Sequence, residues 1–138
     1  MTYAELQALI ERVALDTMTS GHFHCGNDSS LNGAVEEHGY PVIHLDPIDG
    51  NRNIATGNKV ARITLGFFEQ GGDYSAAEEQ ALYARQEKIS AKFLFMLQEE
   101  GEIGDIAVRD TPVKNYTSQK LSGWACELEL KLPMPLCF

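Results

Sequence analysis

The stretch that decides the fold is Ser75–Glu100, SAAEEQALYARQEKISAKFLFMLQEE, which predicts one long helix. Ser75 and Glu78 have the spacing of a capping box at its start, and Gly101 is placed to end it. Apolar side chains recur at helical spacing and form its predicted buried face: Leu82, Ile89, Phe93, Met96 and Leu97. At about 1.5 Å per residue the helix is roughly 40 Å long, enough to cross a whole sheet.

Strands are predicted on both sides of this helix. Val60–Glu69 upstream and Trp124–Leu132 downstream each alternate apolar and polar side chains. Such alternation is typical of a sheet with one buried face and one wet face. Shorter strands are predicted at 22–25, Tyr40–Leu45 and Ile103–Val108, and Val113 can extend the last of them.

A second helix is predicted near the N-terminus, with Thr2 and Glu5 as a capping box and Gly21 as its stop. The order of helix, strands, long helix and strands predicts a single α+β domain over residues 1–138. We expect an antiparallel or mixed sheet of about four to six strands, with two helices (about 3–20 and 75–100) packed on one face. The long helix between strand pairs resembles a split β-α-β arrangement.

Composition excludes several classes of protein. The 138 residues contain 11 Lys plus Arg against 20 Asp plus Glu, a formal net charge of -9. This balance argues against a nucleic-acid-binding face and against binding to anionic lipid, because both need clustered basic residues. No apolar run approaches the roughly 20 residues that span a bilayer, and Met1–Glu5 lacks the features of a signal peptide. We expect a protein of the cytoplasm or of a particle assembled there.

Two histidines are the first candidates for a metal site. His22 and His24 lie on one face of a predicted strand and could bind a metal together with Cys25 or His44. However, Cys25 points to the opposite face, and no second ligand pair with zinc-like spacing appears in the sequence. We interpret the two histidines as a polar strand face.

The cysteines and hydroxyl side chains give no catalytic pattern. Cys25, Cys126 and Cys137 are odd in number and lack C-x-x-C spacing, so we predict reduced, buried thiols. Thr117 and Ser118 have no histidine near them in sequence and are predicted to lie in a turn. No catalytic residue, metal ligand or cofactor is predicted.

The segment Asp46-Pro47-Ile48-Asp49-Gly50 resembles the metal-binding core of the inositol monophosphatase family. The resemblance implies that Asp46 and Asp49 bind catalytic magnesium, which prefers oxygen ligands. The chain departs from that family at Asn51, where the family has Thr, and it lacks the family's Trp-Asp motif. Since Asp-Pro-x-Asp-Gly is also ordinary turn chemistry, we interpret the segment as a turn. A reduced magnesium-dependent phosphomonoesterase that uses Asp46 and Asp49 is the alternative function.

The whole chain resembles the small tail-terminator and tail-completion (neck) proteins of long-tailed bacteriophages. The features it shares with them are a capped N-terminal helix, a Tyr-Pro-Val strand, a long helix and a late Gly-Trp strand, in that order. The resemblance implies a non-enzymatic ring subunit whose partners are copies of itself and other virion tail or neck proteins. It also implies a location in the host cytoplasm or the virion, without a membrane or sequence-specific nucleic-acid partner.

Two turn-rich stretches, 26–39 and 46–58, are predicted to be polar loops that are mobile in a monomer. Their main apolar side chains are Leu31, Val35, Ile48 and Ile54. In a ring, these side chains are expected to dock on a neighbouring subunit. A deletion within 28–37 is therefore expected to weaken assembly and leave the fold intact.

Overall fold

The computed structural model describes residues 1–100 and 103–133. The helices in this part of the chain are α1 (Tyr3–Thr17), α2 (Asp28–His38) and α3 (Ala76–Gln98). The strands are β1 (His22–Cys25), β2 (Val42–Leu45), β3 (Asp49–Asn53), β4 (Asn58–Gln70), β5 (Ile106–Tyr116) and β6 (Leu121–Pro133). The predicted α+β class is confirmed.

The strands form one mixed sheet in the order β1-β2-β4-β6-β5, with β3 also paired to β4. Only the β1–β2 pair is parallel among the described pairs, and the others are antiparallel. Because β4 and β5 both run antiparallel to β6, which lies between them, they are parallel to each other. With α3 as their connection they form the predicted split β-α-β unit.

One face of the sheet packs against α1 and α3, as predicted. Phe67 of β4 and Phe93 of α3 meet edge to face with ring centroids 5.7 Å apart. Leu128 of β6 and Leu6 of α1 are buried in the same core. The predicted cap of α3 is present, with the Ser75 hydroxyl accepting from the Glu78 amide and the Glu78 carboxylate accepting from the Ser75 amide. α1 is capped by Thr2 but ends at Thr17, earlier than Gly21 implied.

The prediction that 26–39 is a mobile loop is wrong. The Asn27 side chain accepts from the Ser30 amide and caps α2, which packs on the face of the sheet opposite α1 and α3. Leu31 is 0% and Val35 4% exposed, in a second core with Phe68. These two side chains are already buried within the subunit, so they are unavailable to dock on a neighbour, and the predicted tolerance of a deletion within 28–37 does not fit this packing.

Most of the second stretch, from Asp49 to residue 58, is a hairpin, so the predicted turn at Asp46–Gly50 is wrong for Asp49 and Gly50, which lie in a strand. Asp49 begins β3, which pairs with β4 from Asp49–Arg62 to Asn53–Asn58. Every residue of β3 except Gly50 is exposed, and Ile54 at the tip is 77% exposed. Exposure of an apolar side chain at the end of a hairpin leaves it available for an intermolecular contact.

Candidate functional site

The β5 strand forms one edge of the sheet. Among the described residues it pairs with β6 alone, and all its residues except Ile106 and Val113 are exposed. An edge strand of this kind presents backbone N–H and C=O groups that can pair with a strand of another chain. Lys114 carries a charge on this edge but is bound to Glu79 of α3.

The β3–β4 hairpin lies at the opposite side of the sheet. β6 pairs with β4 continuously from Asn58 to Gln70, so β3 must lie on the other side of β4, next to β2. The outer side of β3 has no partner strand among the residues that the structure describes. The edge of β3 and the edge of β5 therefore face away from each other, and β1 is the terminal strand on the same side of β4 as β3.

The sheet face between these edges is polar and holds a groove of about 500 Å³. Its charged lining is mixed in sign, with arginines opposed by carboxylates: Asp49, Arg62, Arg109, Glu127 and Glu129. A surface that binds nucleic acid has clustered basic residues instead. The groove thus lacks the charge pattern of a polyanion site.

A cluster of polar side chains lies beneath α2. The parallel pairing of β1 and β2 sets His24 beside His44, and their Nδ1 atoms are 2.9 Å apart. Nε2 of His44 is 2.8 Å from Oδ1 of Asp46. An ionised Asp46 only accepts, so His44 donates to it from Nε2–H, and a neutral His44 then accepts from Nδ1–H of His24. Burial and the neighbouring His44 and His22 lower the pKa of His24, which favours its neutral form.

Two further residues complete this cluster. Asp28, at the first turn of α2, accepts a hydrogen bond from the Tyr116 hydroxyl at 2.6 Å. This bond, together with burial and the charges of Asp28 and Asp46, raises the pKa of Tyr116 to about 12, so the tyrosine remains a donor at neutral pH. One ligand atom each from Asp28, His44 and Asp46 lies within 4.8 Å of the other two. Within residues 1–100 and 103–133, these three side chains are the group that could hold a metal ion.

The structure separates the two aspartates of the phosphatase-like segment. Asp46 joins the histidine cluster, whereas Asp49 lies opposite Arg62 on the groove side. His22 and Cys25 also lie apart from the cluster: His22 contacts the Gly39 carbonyl, and Cys25 packs against the main core. Thr117 lies in the β5–β6 turn, as predicted, with a positive φ of 63°. Cys126 is buried, and Cys137 lies outside the described residues.

Sequence reasoning missed Asp28 and Tyr116. The sequence predicts a loop at Asp28, and it predicts that the strand that carries Tyr116 ends near Val113. The pairing of His24 with His44 was an open alternative, because it depends on the register of two strands that the whole of α2 separates in sequence. A usable signal was Asn27 as a helix cap ahead of Leu31 and Val35 at helical spacing, which would have placed Asp28 in a first turn.

Comparison with protein-family models and with curated proteins finds no match to this chain. Of the helices in residues 1–100 and 103–133, none combines the length and the apolar character that a membrane crossing requires.

Proposed function

We propose that this chain is a non-enzymatic assembly protein, a ring-forming subunit of the tail-terminator or head–tail joining type in a phage or prophage. The observation that carries the proposal is the pair of dissimilar strand edges, β5 and the β3–β4 hairpin, on opposite sides of one sheet. The partners proposed are copies of the same chain and other virion tail or neck proteins. The proposed location is the host cytoplasm before assembly and the virion afterwards.

Opposite, dissimilar edges favour a head-to-tail contact. When the hairpin of one subunit meets β5 of the next, each subunit uses two different surfaces, and the contact repeats until the rotation closes a ring. Addition of a strand to an exposed edge supplies backbone hydrogen bonds, and apolar side chains beside the edge supply burial. Ile54, 77% exposed at the hairpin tip, and Val108, 39% exposed on β5, are the side chains suited to that burial.

Acidic character supports the proposal for a subunit that surrounds a channel. The formal net charge of -9 repels the phosphate backbone, so DNA could pass a ring of such subunits without adhering to it. The mixed charges of the groove likewise contain no basic cluster that would retain DNA.

The test is the native mass of the full chain and of two edge variants, Ile54→Lys and Val108→Lys. A lysine on an edge disfavours strand pairing and places a charge in the proposed contact. We expect wild type to form a closed oligomer of more than two subunits, and each variant to shift to monomer at the same concentration. Circular dichroism should remain unchanged, because both side chains are exposed.

Matched controls place the same substitution elsewhere. Leu15 of α1 and Phe95 of α3 are 51% and 68% exposed and lie on the face of the sheet that α1 and α3 cover. Leu15→Lys and Phe95→Lys are expected to leave the oligomer intact. A wild-type chain that is monomeric or a two-fold dimer at all concentrations tested, or a ring that survives both edge variants, would overturn the proposal.

A further inference from the structure

We propose that Asp28, His44 and Asp46 form a binding site for one transition-metal dication, with zinc as the ion of choice. The three ligands come from separate parts of the chain: the first turn of α2, the strand β2 and the segment that follows β2. An ion held by them would join α2 to the sheet. This inference is independent of the proposed ring.

The geometry of the three side chains suits a single ion. One ligand atom from each lies within 4.8 Å of the other two. Metal–oxygen and metal–nitrogen bonds to zinc are about 2.0–2.2 Å, so small rotations of the carboxylates bring all three atoms to an ion between them. The Asp46 side chain is 41% exposed, which leaves it free to make that adjustment, whereas His44 is held at 3% exposure.

Nδ1 of His44 keeps its hydrogen-bond partner, His24, whether or not an ion is bound at Nε2. Without metal, His44 donates from Nε2–H to Asp46 and accepts at Nδ1 from His24. With metal on Nε2, the proton of His44 moves to Nδ1 and is donated to Nδ1 of His24, whose own proton moves to Nε2. Both rings remain neutral and the Nδ1–Nδ1 hydrogen bond is kept. A hydrogen-bonded partner on the far nitrogen is characteristic of metal-binding histidines.

Asp28 is also held by a hydrogen bond to a residue outside the ligand set. Tyr116 donates to Oδ2 of Asp28 at 2.6 Å and leaves Oδ1 for the ion. The Tyr116 ring is fixed in turn by stacking on Phe68, with centroids 6.0 Å apart. A pocket of about 160 Å³ is lined in part by two of the ligands, His44 and Asp46, and by Tyr116, and it has room for a water molecule as the fourth ligand.

The donor set favours zinc over magnesium. An imidazole nitrogen is a good ligand for zinc, whereas magnesium prefers oxygen in an octahedral arrangement and retains most of its water. A site with one imidazole and two carboxylates, completed by water, matches the tetrahedral preference of zinc. We expect manganese to bind more weakly than zinc, and magnesium more weakly still.

The experiment is titration of the full chain with zinc against a chromophoric chelator, for wild type, Asp28→Asn and Asp46→Asn. Wild type is expected to bind one zinc ion, and each variant to bind at least about tenfold more weakly, because an amide is a poorer ligand than a carboxylate. His24→Asn, which removes the partner of His44 without removing a ligand, is expected to weaken binding by about 10–100-fold. Zinc should raise the melting temperature of wild type and not of Asp46→Asn.

Two variants serve as controls for binding elsewhere. Asp49→Asn removes the second aspartate of the phosphatase-like segment, and His38→Asn removes the exposed partner of His22, whose ring centroid is 5.4 Å away. Both are expected to bind zinc like wild type. Failure of wild type to bind zinc, or wild-type affinity in either Asp28→Asn or Asp46→Asn, would overturn the site. Loss of zinc binding in Asp49→Asn would instead favour Asp46 and Asp49 as the ligand pair. That result would also overturn the proposed site.

Discussion

Glu69 of β4 and Arg85 of α3 form a bidentate ion pair that joins the sheet to the long helix. Nε of Arg85 donates to Oε2 of Glu69 at 3.1 Å, and Nη2 donates to Oε1 at 2.6 Å. The amide of Gln86, which is 3% exposed, also donates to Oε2 at 2.6 Å. Burial alone would raise the pKa of Glu69, but the hydrogen bonds from Arg85 and Gln86 and the charge of Arg85 outweigh it and lower the pKa.

The lowered pKa of Glu69 predicts a loss of stability in acid. A carboxylate whose folded pKa is depressed stabilises the fold above its unfolded pKa, about 4.3, and loses that contribution as the pH falls through the folded pKa. Glu69→Gln should lower the free energy of unfolding by about 1–3 kcal/mol at pH 7, since hydrogen bonds to a charged group are lost. Urea unfolding should show the difference shrinking toward pH 3. Glu87→Gln, an exposed change on the same helix, should show no such pH-dependent difference.

The orientation of α3 predicts opposite outcomes for two phenylalanines two residues apart. Phe93 is 0% exposed against Phe67, whereas Phe95 is 68% exposed. Phe93→Ala should lower the free energy of unfolding by about 3–5 kcal/mol, because it leaves a cavity in the core. Phe95→Ala should change it by less than about 0.5 kcal/mol. Urea denaturation checks both, and equal effects would contradict the packing of α3.

The glycines of α2 test whether 28–38 is a helix. Gly33 is in the interior of α2 with open space where a Cβ would lie, so Gly33→Ala should raise the free energy of unfolding by about 0.5–1 kcal/mol. Gly39 ends the helix with φ 76°, a conformation that strains a residue with a Cβ. Gly39→Ala should therefore lower the free energy of unfolding by about 1–2 kcal/mol. A mobile loop would give the two substitutions similar, small effects in thermal unfolding.

The environment of Cys126 predicts an inert thiol. Burial, the hydrogen bond to Asp110 and the charge of Asp110 raise the pKa of Cys126 to about 12, and the thiolate is the form of cysteine that attacks iodoacetamide. Burial also raises the pKa of Cys25, which is only partly buried. At pH 8, peptide mass mapping after iodoacetamide treatment should show Cys25 labelled well before Cys126. In urea the two should react alike, and early labelling of Cys126 in the native protein would contradict its burial.

Elements with strong periodicity could be predicted from the sequence. The apolar stripe and capping box of α3, and the alternation in β4 and β6, encode both the type of element and the face it buries. α2 could not be predicted in the same way, because Asn32 and Gly33 are poor helix formers and the helix is stabilised by packing of Leu31 and Val35 on the sheet. The cap at Asn27 and the spacing of Leu31 and Val35 indicate a helix only weakly, and its stability depends on tertiary contacts.

The polar cluster was less predictable than the fold. His44 and Asp46 are two residues apart, so their proximity follows from the strand itself. The contacts of His24 with His44 and of Tyr116 with Asp28 depend on the pairing of β1 with β2 and on where β5 ends. Strand register is decided by packing and turn geometry across the whole sheet, so these contacts required the three-dimensional structure.

The position of β4 has a consequence for the dynamics of the subunit. β4 is paired to β6 along its whole length and to β2 and β3 on its other side, so its amides are enclosed by neighbouring strands. Exchange of these amides with deuterated solvent requires the sheet to come apart, and β4 should open only with global unfolding. The outward amides of β5 can exchange without that event. The slowest-exchanging unit of the protein therefore lies in the centre of the sheet, and the edges can rearrange around a partner while the centre remains closed.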